Sequence, residues 1–190
     1  MDAVSVSRTE IYNYFHSNAS CQAYFFDCKN EKEYVAYYNS MYLLQDSTDG
    51  LSRHRQLGFS LDPPIAYIEF WGIMQAAIIQ QDSITEIYKV MVEEKLDTNT
   101  ADLKSWIKVR ELRNICAGHP AKKDRPKTLM RTFMGRAFGD YSAIRYEQWD
   151  DAEFSTTYPS VPLGTLLDAY AVEAKAQLEK VLVAMMGRWK

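Results

Sequence analysis

The sequence predicts an all-α fold, an up-and-down bundle of four to five helices, and three observations carry that expectation. Apolar residues recur at helical spacing over long stretches, 31–56, 63–95 and 164–186. Start and stop residues punctuate them: Asp62-Pro63-Pro64 opens one helix, Asp97-Thr98-Asn99-Thr100 separates it from the next, and Gly118 with Pro120 ends that one. No repeat, low-complexity tract or interdomain linker interrupts the 190 residues, which read as one domain able to bury its own core.

Taken in order, residues 1–30 are rich in Asn, Ser and aromatic rings (Tyr12, Tyr14, Phe15, Tyr24, Phe25, Phe26) with poor periodicity. They read as an irregular aromatic lead-in, an arm or a short helix docked by its rings. From Glu31 to about Gln56, Tyr34, Tyr37, Tyr38, Met41, Leu44 and Leu51 mark the first long helix, with a weak point at Ser47-Thr48-Asp49-Gly50. The second begins at Asp62-Pro63-Pro64, where proline in the first turn loses no helix hydrogen bond. Its run I-A-Y-I-E-F-W-G-I-M-Q-A-A-I-I is apolar almost all round, the mark of a central buried helix. Ser83 with Glu86 resembles a capping box, so this helix either breaks near Gln81-Asp82 or continues to about Lys95.

A third helix spans about Ala101 to Ala117. Residues 121–162 then form a loop-rich insertion: A-K-K-D-R-P-K is polar, Leu129–Phe138 has the weak amphipathicity of a short helix, Tyr141–Trp149 alternates like a short extended segment, and Thr156–Pro162 is loop. The last helix keeps Leu167, Tyr170, Ala171, Ala174, Leu178, Val181, Leu182 and Met185 on one face, and it is expected to dock on the central helix.

Charge and cysteine usage narrow the function classes. A net charge of −3 gives no global attraction to polyanions, so nucleic-acid contact requires a local patch. Cys21, Cys28 and Cys116 are odd in number and lack zinc-site spacing, which argues against a disulfide framework and a structural metal. No run approaches a membrane span and the first residues lack the pattern of a targeting signal. The expectation is a cytoplasmic protein without membrane contact, cofactor or bound metal.

The stretch that promises chemistry is W-I-K-V-R-E-L-R-N-I-C-A-G-H-P, Trp106 to Pro120. Arg113 falls on a mostly apolar helical stripe with Trp106, Val109 and Ala117, and a half-buried guanidinium there demands a carboxylate, a set of carbonyls or a phosphate. His119 would lie about 120° from Arg113 on a continuous helix. Gly118 suits a left-handed helix end and Pro120 holds His119 extended, so the chain can turn the imidazole back toward the arginine. An imidazole can move a proton at a ribose 2′-hydroxyl or a leaving 5′-oxygen while an arginine stabilises charge at phosphorus. Asn114 adds a positioning amide. Such a set cleaves RNA without a metal, and two copies in a symmetric dimer would supply both acid and base.

Arg113-Asn114 with His119 after four intervening residues, in the setting L-R-N-I-C-A-G-H-P, resembles the signature of the HEPN superfamily (higher eukaryotes and prokaryotes nucleotide-binding). The resemblance covers roughly residues 62–120 and, in outline, the last helix. It implies a helical bundle that dimerises with two motifs facing one cleft, and in many members a metal-independent endoribonuclease of toxin-antitoxin, abortive-infection or other defence systems. It assigns Arg113, Asn114 and His119 as catalytic, and a homodimer, RNA and a cognate antitoxin or nucleotidyltransferase as partners. Other members with a similar motif are non-catalytic nucleotide-binding or interaction modules.

Just past the motif, Lys122, Lys123, Arg125 and Lys127 form a local basic segment suited to an RNA backbone, extended by Arg131, Arg136 and Arg145. Tyr141, Tyr146 and Trp149 either stack on unpaired bases or pack the insertion onto the bundle. The plain alternatives are an Arg113 salt bridge to Asp82, Glu86 or Glu69, a His119 that caps the helix, and a solvated basic loop. Gln80, Gln81 and Asp82 either orient the motif or mark a helix boundary, and His16 and His54 are read as structural or solvated.

Overall fold

The computed structural model describes residues 2–118, 123–125 and 128–190. The chain is predominantly helical, as the sequence predicts: α1 (Asp2–Ser17), α2 (Ala19–Phe25), α3 (Glu31–Leu57), α4 (Pro63–Val92), α5 (Lys104–Arg113) and α6 (Leu163–Arg188). Short strands β1 (Lys123–Arg125), β2 (Thr128–Phe133), β3 (Ile144–Arg145), β4 (Glu147–Asp150), β5 (Ser155–Thr157) and β6 (Ser160–Val161) occupy the insertion. No described helix is long and apolar enough to cross a membrane.

The core gathers around α4, which packs on α3, α5 and α6, while α1 lies against α6 and α3. Phe70, Met74, Ile84, Ile87 and Met91 of α4 meet Leu44, Trp106, Tyr170 and Leu178 in one buried cluster. Each such side chain contributes roughly 1.5–3 kcal/mol by leaving water. α4 starts with prolines at its first positions and ends at Glu93, whose φ of 62° is left-handed. It does not break at Gln81-Asp82. Ser83 Oγ donates to Ile79 O and Thr85 Oγ1 to Gln81 O, so both hydroxyls bond back along an unbroken helix instead of forming a capping box. α3 likewise runs through its weak point, where Ser47 and Thr48 donate to the carbonyls of Leu43 and Leu44.

Four other expectations change. Residues 1–30 are not irregular: α1 buries Val4, Ile11 and Phe15 along one stripe, and Phe15 stacks on Tyr37 at 4.6 Å. The rings dock a helix. α4 is central, yet Ile65, Ile68 and Trp71 are 49%, 66% and 42% exposed, so the all-round apolar half keeps one uncovered stripe. Leu129–Phe138 holds a strand rather than a short helix, because exposed Arg131 and Phe133 alternate with half-buried Thr132 and buried Met134, a period of two. Thr156–Pro162, expected as loop, carries β5 and β6.

The extended segment at 141–149 is present as β3 and β4. One antiparallel sheet has the order β1-β2-β4-β5, with Arg131 opposite Trp149 and Phe133 opposite Glu147. A second small sheet pairs β3 with β6. β2 packs beside the end of the α5 helix, so the larger sheet is anchored where the motif lies.

Candidate functional site

The motif helix α5 is held first at its N-terminus. Its early amides have no partner within the helix, and Glu173 of α6 accepts from Ser105 N (2.8 Å) and Trp106 N (2.7 Å). A carboxylate there also meets the positive end of the helix dipole. Trp106 is buried against Tyr170, their ring centroids 5.6 Å apart. Gln81, fully buried on α4, donates to Trp106 O (3.0 Å) and accepts from Arg110 Nε (3.0 Å). Arg110 Nη2 also pairs with Asp82. Gln81 and Asp82 are thus the grips that hold α5 on α4, and neither is a helix boundary. Gln80, also buried, turns the other way and donates to Thr48 Oγ1 of α3 at 2.7 Å.

Arg113 stands three residues beyond Arg110 and is held differently. Its Nη2 donates to Gln75 Oε1 of α4 (3.0 Å) and its Nη1 to Asn114 Oδ1 (3.2 Å). Both acceptors are neutral amide oxygens. The salt-bridge alternatives do not hold: Asp82 is taken by Arg110, Glu86 pairs with Lys89 at 3.3 Å, and Glu69 accepts from Ser60 N at 2.7 Å. Gln75 belongs to the exposed stripe of α4, one turn beyond Trp71, so Arg113 sits at the margin of the uncovered apolar surface. The sequence reading missed Gln75; its signal was a single amide in an apolar run.

Past Arg113 the helix widens into a π turn, Asn114–Gly118, instead of ending near Ala117 in an α-helical form. Such a turn admits an extra residue and re-aims the side chains that follow it, and it is frequent at functional sites. Cys116 anchors it from within, fully buried, its thiol pushed up to about 12 by burial. Desolvation also raises Tyr146 above its ordinary value, and the nearby Cys116 and Glu111 side chains push it the same way.

Arg113 and Asn114 are brought together. His119, Lys122 and Lys127 lie outside the described residues, as does the turning-back of the imidazole; Lys123 and Arg125 stand on β1. Arg131, Arg136 and Arg145 are exposed on the insertion, Arg131 3.5 Å from Asp151. Of the three rings named for stacking, Tyr141 packs the insertion onto α3: its hydroxyl is 2.7 Å from His54 Nδ1, Arg55 lies 4.5 Å over its ring, and burial raises it to about 12. That contact makes His54 structural. Tyr146 is half-buried and Trp149 exposed, while Phe133, which the sequence reading passed over, is the more exposed ring.

A cavity of about 440 Å³ lies on the opposite face of α5, lined by Lys108, Leu112, Ile115, Tyr146, Val161 and Leu166 among others, and excludes Arg113 and Asn114. Among the described residues no group of three or more His, Cys, Asp or Glu side chains is placed to hold a metal ion. Compared with protein-family models, curated proteins and solved structures, the chain matches none.

Proposed function

We propose that the protein is a HEPN-like, metal-independent endoribonuclease that cleaves single-stranded or loop RNA in the cleft of a homodimer. The observation that carries this reading is the setting of Arg113: a half-buried guanidinium held by the amides of Asn114 and Gln75, at the edge of the apolar stripe of Ile65, Ile68 and Trp71. Amide acceptors orient a guanidinium and leave its charge for a phosphate. The stripe is the surface on which a second copy would bring its own motif close, supplying the second imidazole that acid-base cleavage needs. In this mechanism His119 moves the proton, Arg113 binds and stabilises the scissile phosphate, Asn114 positions it, and Lys122, Lys123, Arg125 and Lys127 hold the flanking backbone. No cofactor takes part.

A toxin or defence-system effector is the role this chemistry fits, with a cognate antitoxin or nucleotidyltransferase as its partner. The buried, unpaired Cys21 and Cys116 agree with a reducing cytoplasm. Incubation of purified protein with RNA in EDTA is the test. Cleavage should persist in the chelator and fall at least about a hundredfold in Arg113→Ala and His119→Ala; equal cleavage in the variants would sink the assignment. The second reading is a non-catalytic nucleotide- or RNA-binding or interaction module, favoured mildly by the overall acidity. Stoichiometric binding in calorimetry without cleavage on long incubation would select it.

A further inference from the structure

We infer that the recess between α1 and α3 is a binding site for a small aromatic carboxylate, with Arg8 holding the carboxylate and tyrosine rings enclosing the aromatic ring. None of its lining residues belongs to the motif or the insertion, so the site stands apart from the ribonuclease reading. The recess has a volume of about 140 Å³. An apolar cavity of about 150 Å³ holds one benzene ring, so a single six-membered ring is the right size and a nucleoside is too large. Tyr34, Tyr38 and Tyr42 stand one turn apart on α3, their successive ring centroids separated by 5.9 and 4.8 Å, and form one wall. Tyr12 and His16 of α1, with ring centroids 4.1 Å apart, form the other, and buried Phe15 stacked on Tyr37 closes the floor.

Two polar groups select the ligand. Arg8 is half-buried, with Cζ 5.0 Å over the Tyr12 ring and Nε donating to Met41 O at 3.4 Å. Neither contact neutralises a guanidinium, and partial burial leaves it in need of an anion. Among the described residues no Asp or Glu lines the recess. Asp49 shares a second, separate recess with Arg8 and is not ion-paired to it. A cage of tyrosines alone would suit a quaternary ammonium, and Arg8 reverses that preference. Its planar fork matches a carboxylate with two parallel bonds. The second group is Tyr37, 3% exposed, whose hydroxyl has no hydrogen-bond partner. Burial keeps that hydroxyl protonated well above its ordinary value, and its electrostatic neighbours are Cys21 and, from the recess itself, Arg8, Tyr12 and Tyr34. A buried hydroxyl without a partner is costly, and a ligand oxygen across the ring from the carboxylate would meet it.

The test is calorimetry of the full chain with 4-hydroxybenzoate, which carries a carboxylate and a hydroxyl at opposite ends of one ring. The wild type should bind it stoichiometrically. Phenyltrimethylammonium, which reverses the charge, and acetate, which lacks the ring, should each bind at least about tenfold more weakly. Arg8→Gln should weaken 4-hydroxybenzoate binding roughly tenfold. Tyr37→Phe keeps the ring and removes only the hydroxyl, so it should weaken binding several-fold without lowering the melting temperature, because that hydroxyl has no partner to lose in the free protein. No binding at millimolar 4-hydroxybenzoate, equal affinity for phenyltrimethylammonium, or undiminished affinity in either variant overturns the site.

Discussion

The two halves of the motif helix are secured by opposite means. Between Ser105 and Arg110 the hold is polar: Glu173 holds two amides, Gln81 holds a carbonyl and a guanidinium, and Asp82 holds the same guanidinium. From Leu112 to Cys116 the hold is apolar burial, and Arg113 is met by the amide oxygens of Asn114 and Gln75. Arginines one turn apart therefore differ in kind. Arg110 spends its charge within the fold, while Arg113 is oriented with its charge unspent on Asp82, Glu86 or Glu69. The bonded half gives Arg113 a fixed base on α4 and α6.

The sharpest way to break this contrast is through Cys116. If burial secures the C-terminal half, its thiol, pushed up to about 12, should alkylate at least about a hundredfold more slowly than exposed Cys28 at neutral pH. Comparable rates would mean that the π turn opens readily. The sign of the alkaline response follows from the same shift. Cys21 and Cys116 have folded values near 12, above the unfolded value of 9.0, so the folded chain keeps protons that the unfolded chain releases. Their contribution to stability is full below about pH 9 and is lost as pH rises toward 12, as urea titrations across that range should record.

Next in size is the difference between the arginines themselves. Arg113→Ala should remove RNA cleavage by about two orders of magnitude with little change in melting temperature, whereas Arg110→Ala should leave cleavage within a few-fold. A reversed pattern would move the site to Arg110. The rigid half can then be attacked directly. Glu173→Ala orphans two helix-start amides, and Gln81→Leu removes the second hydrogen bond to Trp106 O and leaves Arg110 Nε without its acceptor; each should cost about 2 kcal/mol in denaturant unfolding. A loss under about 0.5 kcal/mol in both would show that packing of Trp106, not these bonds, fixes α5. Smallest is the exposed end of the network: Asp82→Asn should cost at most about 1 kcal/mol, because a half-exposed pair gains little over water.

Legibility in the sequence followed the kind of force involved. α6 could be read because its apolar face repeats over many turns, and α4 because proline marks its start. α1 was obscured because Ser, Asn and aromatic residues surround a narrow stripe, Val4, Ile11 and Phe15, that becomes helical by docking on α3 and α6. Ser83 with Glu86 imitated a capping box, and only an unbroken ladder of carbonyls around it turned its hydroxyl into an internal bond. β2 was mistaken for helix because Leu129, Met130, Phe133 and Met134 satisfy either period until one face is buried.

For the site, the sequence by itself determined the residue types: a motif of Arg113, Asn114 and His119, a basic segment after it, and a half-buried arginine in need of acceptors. Local order in the chain suffices for that. Which acceptor each arginine meets was decided only in three dimensions, since Gln81 and Asp82 lie 29 and 28 residues from Arg110, and Gln75 lies 38 from Arg113, and all reach α5 through the packing of α4 on its flank. Tertiary structure also decided that Ile65, Ile68 and Trp71 stay uncovered and that Phe133 joins Trp149 on one sheet face. Burial and strand register are properties of neighbours, and a periodic pattern names the faces of an element without saying what, if anything, covers them.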